Sequence, residues 1–208
     1  MKSHDKVLIL LAVFITALVC ANLLGSKITV IFGITVSVGI FAYPLTFLMT
    51  DAVEEVFGRE KTKLFVYSGL IALLLTLLLV FIGKAMPPAG FYKNNDAYIT
   101  VFSNSIRIII ASIIGFVVSQ FHDIWAFNFI KRKTHGKFLW LRNNVSTIMS
   151  QFIDTVIFTF IAFYGVTADY NVAVMFKMIF PYWFLKVLFA LADTPLVYIL
   201  VKWLKNEH

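Results

Sequence analysis

The chain has 208 residues, 60% of them hydrophobic, and a mean hydropathy of +0.87. Soluble domains are about 45–50% apolar, so this composition indicates an integral membrane protein and argues against a soluble enzyme or a nucleic-acid-binding domain. The net charge of +7 comes mostly from bases at the ends of apolar runs, and the single Cys20 excludes an intrachain disulfide and a cysteine-based metal site.

Apolar runs of about 18 residues or more predict membrane-spanning helices, and they lack the period-2 alternation of an outer-membrane barrel. The first run continues past signal-peptide length without an Ala-x-Ala cleavage pattern, so we interpret it as a span. We predict an all-α integral membrane protein with one domain, a six-transmembrane-helix bundle. The spans are predicted at residues 7–24, 40–57, 64–82, 99–121, 145–166 and 178–201.

The connections between these spans differ in character. Residues 28–39 are β-branched, interrupted by glycine and too short to cross as a helix, which predicts a short extended or hairpin excursion between helices 1 and 2. Residues 58–63 are predicted to form a tight basic turn and residues 84–96, with Pro87 and Pro88, a loop. Residues 122–144 are predicted to be the most basic loop.

The distribution of basic residues predicts the orientation. With six spans, most of the lysines and arginines outside the spans fall on one side of the membrane. The opposite side keeps Lys27, Lys84, Lys93 and Lys177. The positive-inside rule therefore predicts that both the N-terminus and the C-terminus are cytoplasmic.

Ionisable residues inside the apolar runs are the candidates for a functional site. A central Asp costs roughly 2.5 to 3.5 kcal/mol on insertion scales, so such residues usually face a bundle interior or a watered cavity. A rise of 1.5 Å per residue places Asp51, Asp154 and Asp193 roughly 9 to 14 Å from the cytoplasmic ends, in one predicted layer. Arg107 and Lys186 fall nearer the outer ends. The alternative is a set of buried ion pairs, such as Lys186 with Asp154, that only fix helix packing.

The polar side chains suit a planar, neutral solute. Carboxylates accept from N–H groups, the amides of Asn22, Gln120 and Gln151 both donate and accept, and aromatic side chains supply stacking faces. A guanine-like edge, with adjacent N–H and NH₂ donors, is a natural bidentate partner of a carboxylate. Glu54 lies on the helical face of Asp51, although Glu54 and Glu55 also fit a simple position in the headgroup region.

The polar motifs resemble those of the queuosine precursor transporter family, also called the vitamin uptake transporter family. The resemblance runs from about residue 20 to residue 200 and includes Tyr43-Pro44-Leu45-Thr46, Thr50-Asp51 with Glu54, and Trp140-Leu141-Arg142-Asn143-Asn144. The family's polar positions correspond here to Asn22, Asp51, Glu54, Arg107, Gln120, Arg142, Asn143, Gln151 and Asp154. With Lys186 and Asp193 from the predicted layer, these form the predicted substrate-binding set.

This resemblance implies an inner-membrane importer of 7-cyano-7-deazaguanine or 7-aminomethyl-7-deazaguanine, precursors of queuosine in tRNA. The predicted partners are this small-molecule substrate and membrane lipid, with no nucleic acid; self-association into a homo-oligomer stays open. No cofactor and no metal site are predicted, and the chain is not predicted to be an enzyme.

Two other functions remain open from the sequence. One is a substrate-binding subunit of an energy-coupling-factor vitamin transporter, which would need partner ATPases because this chain has no Walker-type phosphate loop. The other is an intramembrane enzyme that uses Asp51, Glu54 and Asp154. The chain has no His-Glu-x-x-His and no Gly-x-Ser-x-Gly pattern to support such an enzyme.

Overall fold

The structure, a computed structural model, describes residues 3–25, 27–31, 33–103, 106–165 and 171–205. Within these ranges the chain is helical apart from one small hairpin and the connecting turns. The elements are α1 (Ser3–Leu24), β1 (Ile28–Ile31), β2 (Ile34–Ser37), a 3-10 helix (Val38–Phe41), α2 (Tyr43–Phe57), α3 (Arg59–Ala85), α4 (Asn95–Ser103), α5 (Ile106–Lys133), α6 (Leu139–Phe163) and α7 (Val172–Lys205).

Five of the described helices, α1, α3, α5, α6 and α7, are long and apolar enough to cross a membrane. The predicted all-helical membrane architecture is therefore confirmed. The remaining predicted span corresponds to α2, whose 15 residues extend only about 22 Å, less than the roughly 30 Å of a bilayer's hydrocarbon core. Most residues of α2 are buried, from Tyr43 to Glu54, so neighbouring helices rather than lipid surround it.

Several predicted connections are helical instead. α5 continues to Lys133 and α6 begins at Leu139, so most of the predicted loop at 122–144 is wrong and the actual turn covers residues 134–138. The predicted turn at 58–63 contracts to Gly58, whose φ of +79° favours glycine. The predicted span at 99–121 begins inside α4, which is a separate helix. Lysine and arginine are good helix formers, which explains why helices extend beyond their apolar parts.

The predicted excursion between the first two long helices is a two-stranded antiparallel hairpin, in which Ile28 pairs with Ser37. We call residues 28–41, the hairpin and the 3-10 helix, the cap. Ser37 fixes the cap, because its Oγ donates to Gly25 O at 2.7 Å and accepts from Gly39 N at 3.1 Å. A Cβ added at Gly39 would lie 2.4 Å from Ala21 O, so the cap sits directly against the end of α1.

An aromatic cluster forms the centre of the apolar core. The Phe14 ring lies 5.6 Å from the Phe65 ring and 6.1 Å from the Phe116 ring, centroid to centroid, which joins α1, α3 and α5. Gly69 allows this packing, since a Cβ there would lie 2.8 Å from atoms of Phe14 and Leu18. On its other side α3 exposes the apolar side chains expected of a lipid-facing helix, Leu64, Ile71, Leu74, Leu75, Leu78, Leu79 and Ile82.

Ion pairs and a hydrogen bond tie the helices together at the end of the bundle opposite the cap, which we call the basic end. Glu55 at the end of α2 accepts from Arg142 and lies 3.2 Å from Lys131 Nζ. Lys6 Nζ donates to Trp203 O at 2.7 Å, which joins α1 to α7. Glu55 therefore lies at a helix end with basic partners.

Candidate functional site

A polar pocket lies beneath the cap, between α1, α2, α5, α6 and α7. We call it the cap pocket, and it encloses about 500 Å³ of empty space including its open mouth. The space that a water-sized molecule can occupy is smaller, about 50 Å³, which lies below the roughly 300–1,000 Å³ of small-molecule sites, so the pocket must widen to admit a ligand. Its lining is Ala21, Asn22, Gly25, Ser37, Gly39, Tyr43, Ser112, Asp154, Phe158, Tyr182 and Lys186.

A buried ion pair forms the polar centre of the cap pocket. Lys186 Nζ donates to Asp154 Oδ2 at 2.7 Å, and Tyr43 OH donates to Asp154 Oδ1 at 2.8 Å. Asp154 is 4% exposed and Lys186 5% exposed, so neither charge can rely on bulk water. The Lys186 ammonium also lies 4.8 Å from the Tyr43 ring centroid and 4.9 Å from that of Tyr182, within cation–π distance.

The local sequence explains how these groups meet. Tyr43 is the first residue of α2 and is separated from the 3-10 helix only by Ala42, so the cap and the tyrosine are positioned together. Tyr182 and Lys186 are four residues apart on one face of α7. Gly115 on α5 leaves room for the carboxylate, because a Cβ at that position would lie 2.9 Å from Asp154 Oδ1.

This arrangement can bind a neutral polar ligand. A lysine ammonium carries three N–H donors and a carboxylate accepts through two oxygens, so the pair offers a donor beside an acceptor with no net charge. Phe158 and Tyr182 add aromatic surface to the same lining. The combination suits a planar heterocycle whose edge carries a carbonyl next to an N–H group.

A second pocket lies between α2, α6 and α7, farther from the cap. We call it the deep pocket, and it has about 250 Å³ of empty space including its open mouth. Thr147 Oγ1 donates to Asp51 Oδ2 at 3.1 Å. Among the described residues, no hydrogen-bond partner is found for the buried oxygens Asn143 Oδ1 and Gln151 Oε1. The lining is Pro44, Phe47, Leu48, Asp51, Asn143, Thr147, Gln151, Ala190, Asp193 and Val197.

The structure divides the predicted acid layer between the two pockets. Asp51 and Asp193 line the deep pocket, whereas Asp154 lines the cap pocket. The prediction of one layer is wrong because α6 begins at Leu139 rather than at residue 145. Asp154 therefore lies about 22 Å from the basic end of its helix. Lys186 does not lie apart from the acids but pairs directly with Asp154, the ion pair that the sequence offered as an alternative.

The remaining predicted site residues fall into three groups. Asn22 lines the cap pocket, and its Nδ2 donates to Leu18 O at 3.0 Å. Glu54 and Gln120 are buried but lie outside both pocket linings, and Glu54 accepts from Asn128. The Arg107 side chain falls outside the described part of the structure.

Arg142 also lies outside both linings, in contact with the protein at the basic end. Its Nη1 donates to Gly136 O and Lys137 O at 3.0 Å each, and Nη2 donates to Glu55. The guanidinium carbon lies 5.4 Å from the Phe127 ring centroid. These contacts hold the turn between α5 and α6 against the end of α2.

Sequence reasoning left three polar residues out of the predicted site. Tyr43 and Tyr182 lie against the ion pair. The available signal was their spacing from polar residues of the predicted site; Tyr182, for example, lies four residues before Lys186. Asp123 is 1% exposed, and its carboxyl interacts with Asp51, Ser146 and Ser150. It lies three residues after Gln120, on the same face of α5, which was the signal for including it.

Comparisons with known proteins identify the family. Residues 37–200 match the family described as "Putative vitamin uptake transporter". The chain belongs to this vitamin uptake transporter family. A relative from Bacillus subtilis (strain 168), named "Probable queuosine precursor transporter", is 33% identical over 92% of this chain and 83% of its own length. The "Queuosine precursor transporter" of Escherichia coli (strain K12) is 26% identical over 64% of this chain and 58% of its own length.

A third relative, from Haemophilus influenzae, is also named "Probable queuosine precursor transporter" and is 28% identical over 61% of this chain and 51% of its own length. No solved structure matches the chain. The resemblance seen in the sequence motifs is therefore confirmed at the level of the family. This member of the vitamin uptake transporter family is a multi-pass membrane protein with a transporter role, consistent with the expectation that it is not an enzyme.

Proposed function

We propose that the chain imports 7-deazaguanine precursors of queuosine, 7-cyano-7-deazaguanine and 7-aminomethyl-7-deazaguanine, across the inner membrane. The relatives' names support this substrate class. The observation that carries the assignment to a site is the buried Lys186–Asp154 pair in the wall of the cap pocket. A polar group that is costly to bury is retained where it serves binding.

The ligand's pyrimidinone edge matches this pair. Its carbonyl oxygen accepts from the Lys186 ammonium, and its ring N–H and exocyclic NH₂ donate to the Asp154 carboxylate. Phe158 packs against the flat face of the rings. Because the pair is already neutral overall, 7-cyano-7-deazaguanine, which is itself neutral, enters without leaving an unmatched charge in the bundle.

The proposed topology has six spans, with α2 as the second. The 3-10 helix leads into α2, so the helical stretch covers most of residues 38–57, close to the length that a span needs. The basic end then faces the cytoplasm and both termini lie there, in accord with the positive-inside rule. In this orientation the cap pocket lies toward the external side, where an importer must collect its substrate.

Transport then requires alternating access around the polar groups of the bundle. Substrate enters under the cap and binds at Asp154 and Lys186. The bundle next closes on the cap side and opens at the basic end. These are two arrangements of the same helices, and substrate binding shifts the equilibrium between them.

The test uses bacterial cells that cannot make the precursor and lack their own importer. The chain is expressed alone, without partner ATPases, and low external 7-cyano-7-deazaguanine or 7-aminomethyl-7-deazaguanine is supplied. The queuosine content of tRNA is then measured. We expect restoration by the wild type and a loss of about tenfold in initial rate for Tyr43→Phe, since that change removes one hydrogen bond next to the substrate.

The matched control is Tyr92→Phe, the same change in the loop after α3, where Tyr92 lies outside both pocket linings. Its uptake should equal that of the wild type. An absence of restoration by wild-type protein that is present in the membrane contradicts the proposal. In that case uptake of other small heterocycles, with and without energy-coupling ATPases, is the next measurement.

A further inference from the structure

The two pockets share the same three helices and lie about one helical turn apart. α6 contributes Asp154 to the cap pocket and Gln151 to the deep pocket, three residues away. α7 contributes Lys186 to the first and Ala190 to the second, four residues away. Three to four residues correspond to roughly 5 Å along a helix, so the pockets are stacked along the seam between α2, α6 and α7.

The pockets are separated by the hydrogen-bonded cluster of Tyr43, Asp154 and Lys186. Tyr43 OH and Lys186 Nζ both donate to Asp154, which crosses the seam from α2 to α6 to α7. Pro44, the next residue after Tyr43, already lines the deep pocket. A ligand that leaves Asp154 in the direction of the basic end therefore meets the deep pocket next.

The deep pocket has more acceptors than donors. Asn143 is 3% exposed and Gln151 is 1% exposed, and neither Asn143 Oδ1 nor Gln151 Oε1 has a hydrogen-bond partner within the described ranges. Asp51 adds a carboxylate, which receives a hydrogen bond from Thr147. Buried acceptors without donors are unfavourable, so their presence in a pocket points to a ligand that brings the donors.

We infer that the deep pocket is a second substrate subsite, which receives the N–H edge of the heterocycle after it leaves the cap pocket. This inference rests on the proposed import function. The oxygens of Asp51, Asn143 and Gln151 replace Asp154 as acceptors, while Pro44 and Phe47 supply apolar walls. The substrate thus passes between two sets of acceptors and keeps hydrogen-bond partners across the partition.

A heterocycle fits this lining better than a cation does. The acceptors come from α2, α6 and, with Asp193, α7, and they share the lining with the apolar side chains of Leu48, Ala190 and Val197. Cations in proteins are held by a compact shell of several oxygens. No group of three or more His, Cys, Asp or Glu side chains that could hold a metal ion occurs in the described residues. The space that a water-sized molecule can occupy is about 10 Å³, far below the usual range for ligand sites, so this subsite must widen when the cap pocket closes.

The test compares binding with transport in the purified full chain, reconstituted in liposomes. Gln151→Met keeps the length and apolar volume of the side chain but removes the amide oxygen. We expect an equilibrium Kd for 7-cyano-7-deazaguanine within about twofold of the wild type, because the cap pocket is intact. The initial uptake rate should fall about tenfold, the equivalent of one lost hydrogen bond. The melting temperature should stay the same or rise, since a buried unpaired acceptor is removed.

Asn143→Leu is a second variant with the same expectation, in case the first is poorly folded. Thr76→Val on α3 is the matched control, since the Thr76 hydroxyl bonds only to Ala72 O in its own helix among the contacts described. If both pocket variants take up substrate at the wild-type rate, the second subsite is wrong but the proposed function stands. Uptake that requires sodium, with the requirement lost in Gln151→Met, overturns it in favour of a cation site. A wild type that neither binds nor transports the 7-deazaguanines overturns the proposed function, and the subsite with it.

Discussion

At the level of single residues, the Lys186–Asp154 pair makes a strong prediction about stability. Both groups are almost fully buried and 2.7 Å apart, so removing one leaves the other as an uncompensated charge. Asp154→Leu alone should lower the free energy of unfolding by about 3–5 kcal/mol. The double variant Asp154→Leu with Lys186→Met should recover most of that loss, because it replaces the pair with apolar groups. Denaturant titration in detergent measures both values.

Uptake by the same variants separates stability from function. The double variant should be folded and yet fail to restore queuosine to tRNA, since it has lost both groups proposed to bind the substrate. A double variant as unstable as Asp154→Leu would show that the ion pair is not what holds α6 to α7. A double variant that transports normally would show that the pair is not part of the binding site.

Arg142 makes a contrasting prediction, because all its described contacts are with the protein. Arg142→Lys cannot reproduce a guanidinium that reaches Gly136 O, Lys137 O and Glu55 together. The free energy of unfolding should fall by about 1.5–3 kcal/mol, the usual value for hydrogen bonds to charged groups. The Kd for substrate should not change. Arg132→Lys, at an exposed position on α5, is the control and should be neutral in both measurements.

If Arg142→Lys binds substrate more weakly and its stability is unchanged, Arg142 belongs to the binding site, as the family motif implies. The two assays therefore decide between a structural and a binding role for this residue.

The candidate residues were predictable from the sequence to the extent that burial of a charge is unusual. Asp51, Asp154, Lys186 and Asp193 stood out because each interrupts an apolar run. The Lys186–Asp154 pair was foreseen as one alternative, but the division of the acids between two pockets was not predictable. Which acid meets Lys186 depends on how α6 and α7 rotate about their axes and where each begins. The predicted start of α6 was six residues too late, and Asp154 was therefore predicted to lie with Asp51 and Asp193 instead of in the cap pocket.

At the level of elements, the seating of the cap on α1 depends on a glycine. Gly39 has no left-handed φ, so its role is close approach rather than backbone freedom, and a Cβ would lie 2.4 Å from Ala21 O. Gly39→Ala should push the 3-10 helix away from α1 and widen or distort the cap pocket. We expect a loss of about tenfold or more in substrate affinity, because misplacement of a binding group by about 1 Å is costly. Equilibrium binding to purified protein measures it.

The control for this prediction is Gly90→Ala, in the loop after α3, where a Cβ would meet nothing within 4 Å. Its affinity should match the wild type. An unchanged affinity for Gly39→Ala would mean that the cap contributes no contact to the bound state.

Helix ends were the least predictable elements, for a physical reason. Hydropathy measures which residues favour the hydrocarbon core, whereas a helix ends where its backbone N–H and C=O groups no longer find hydrogen-bond partners within the helix. The basic segment that includes Lys131 and Lys133 is polar but favours helix, so α5 continues through it. The cap, in contrast, was predictable, because β-branched residues interrupted by Gly33 and Gly39 favour strands and a turn over a span.

At the level of the whole molecule, the short helix α2 decides the topology. If α2 crosses the membrane, six spans place both termini on one side. If α2 does not cross the hydrocarbon core, the five long helices place the termini on opposite sides. The bases gathered at 59–63, 131–142 and 202–205 favour the first arrangement, with those segments in the cytoplasm.

Reporter fusions distinguish these arrangements directly. Green fluorescent protein folds only in the cytoplasm and alkaline phosphatase only outside it, so each position is tested with both. We expect cytoplasmic signals from fusions at Met1 and His208, and an external signal from an insertion at Gly90, in the loop between α3 and α4. Opposite signals from the two termini would show that α2 does not span. External signals from both termini would reverse the bundle and place the cap pocket on the cytoplasmic side, where it could not collect an imported substrate.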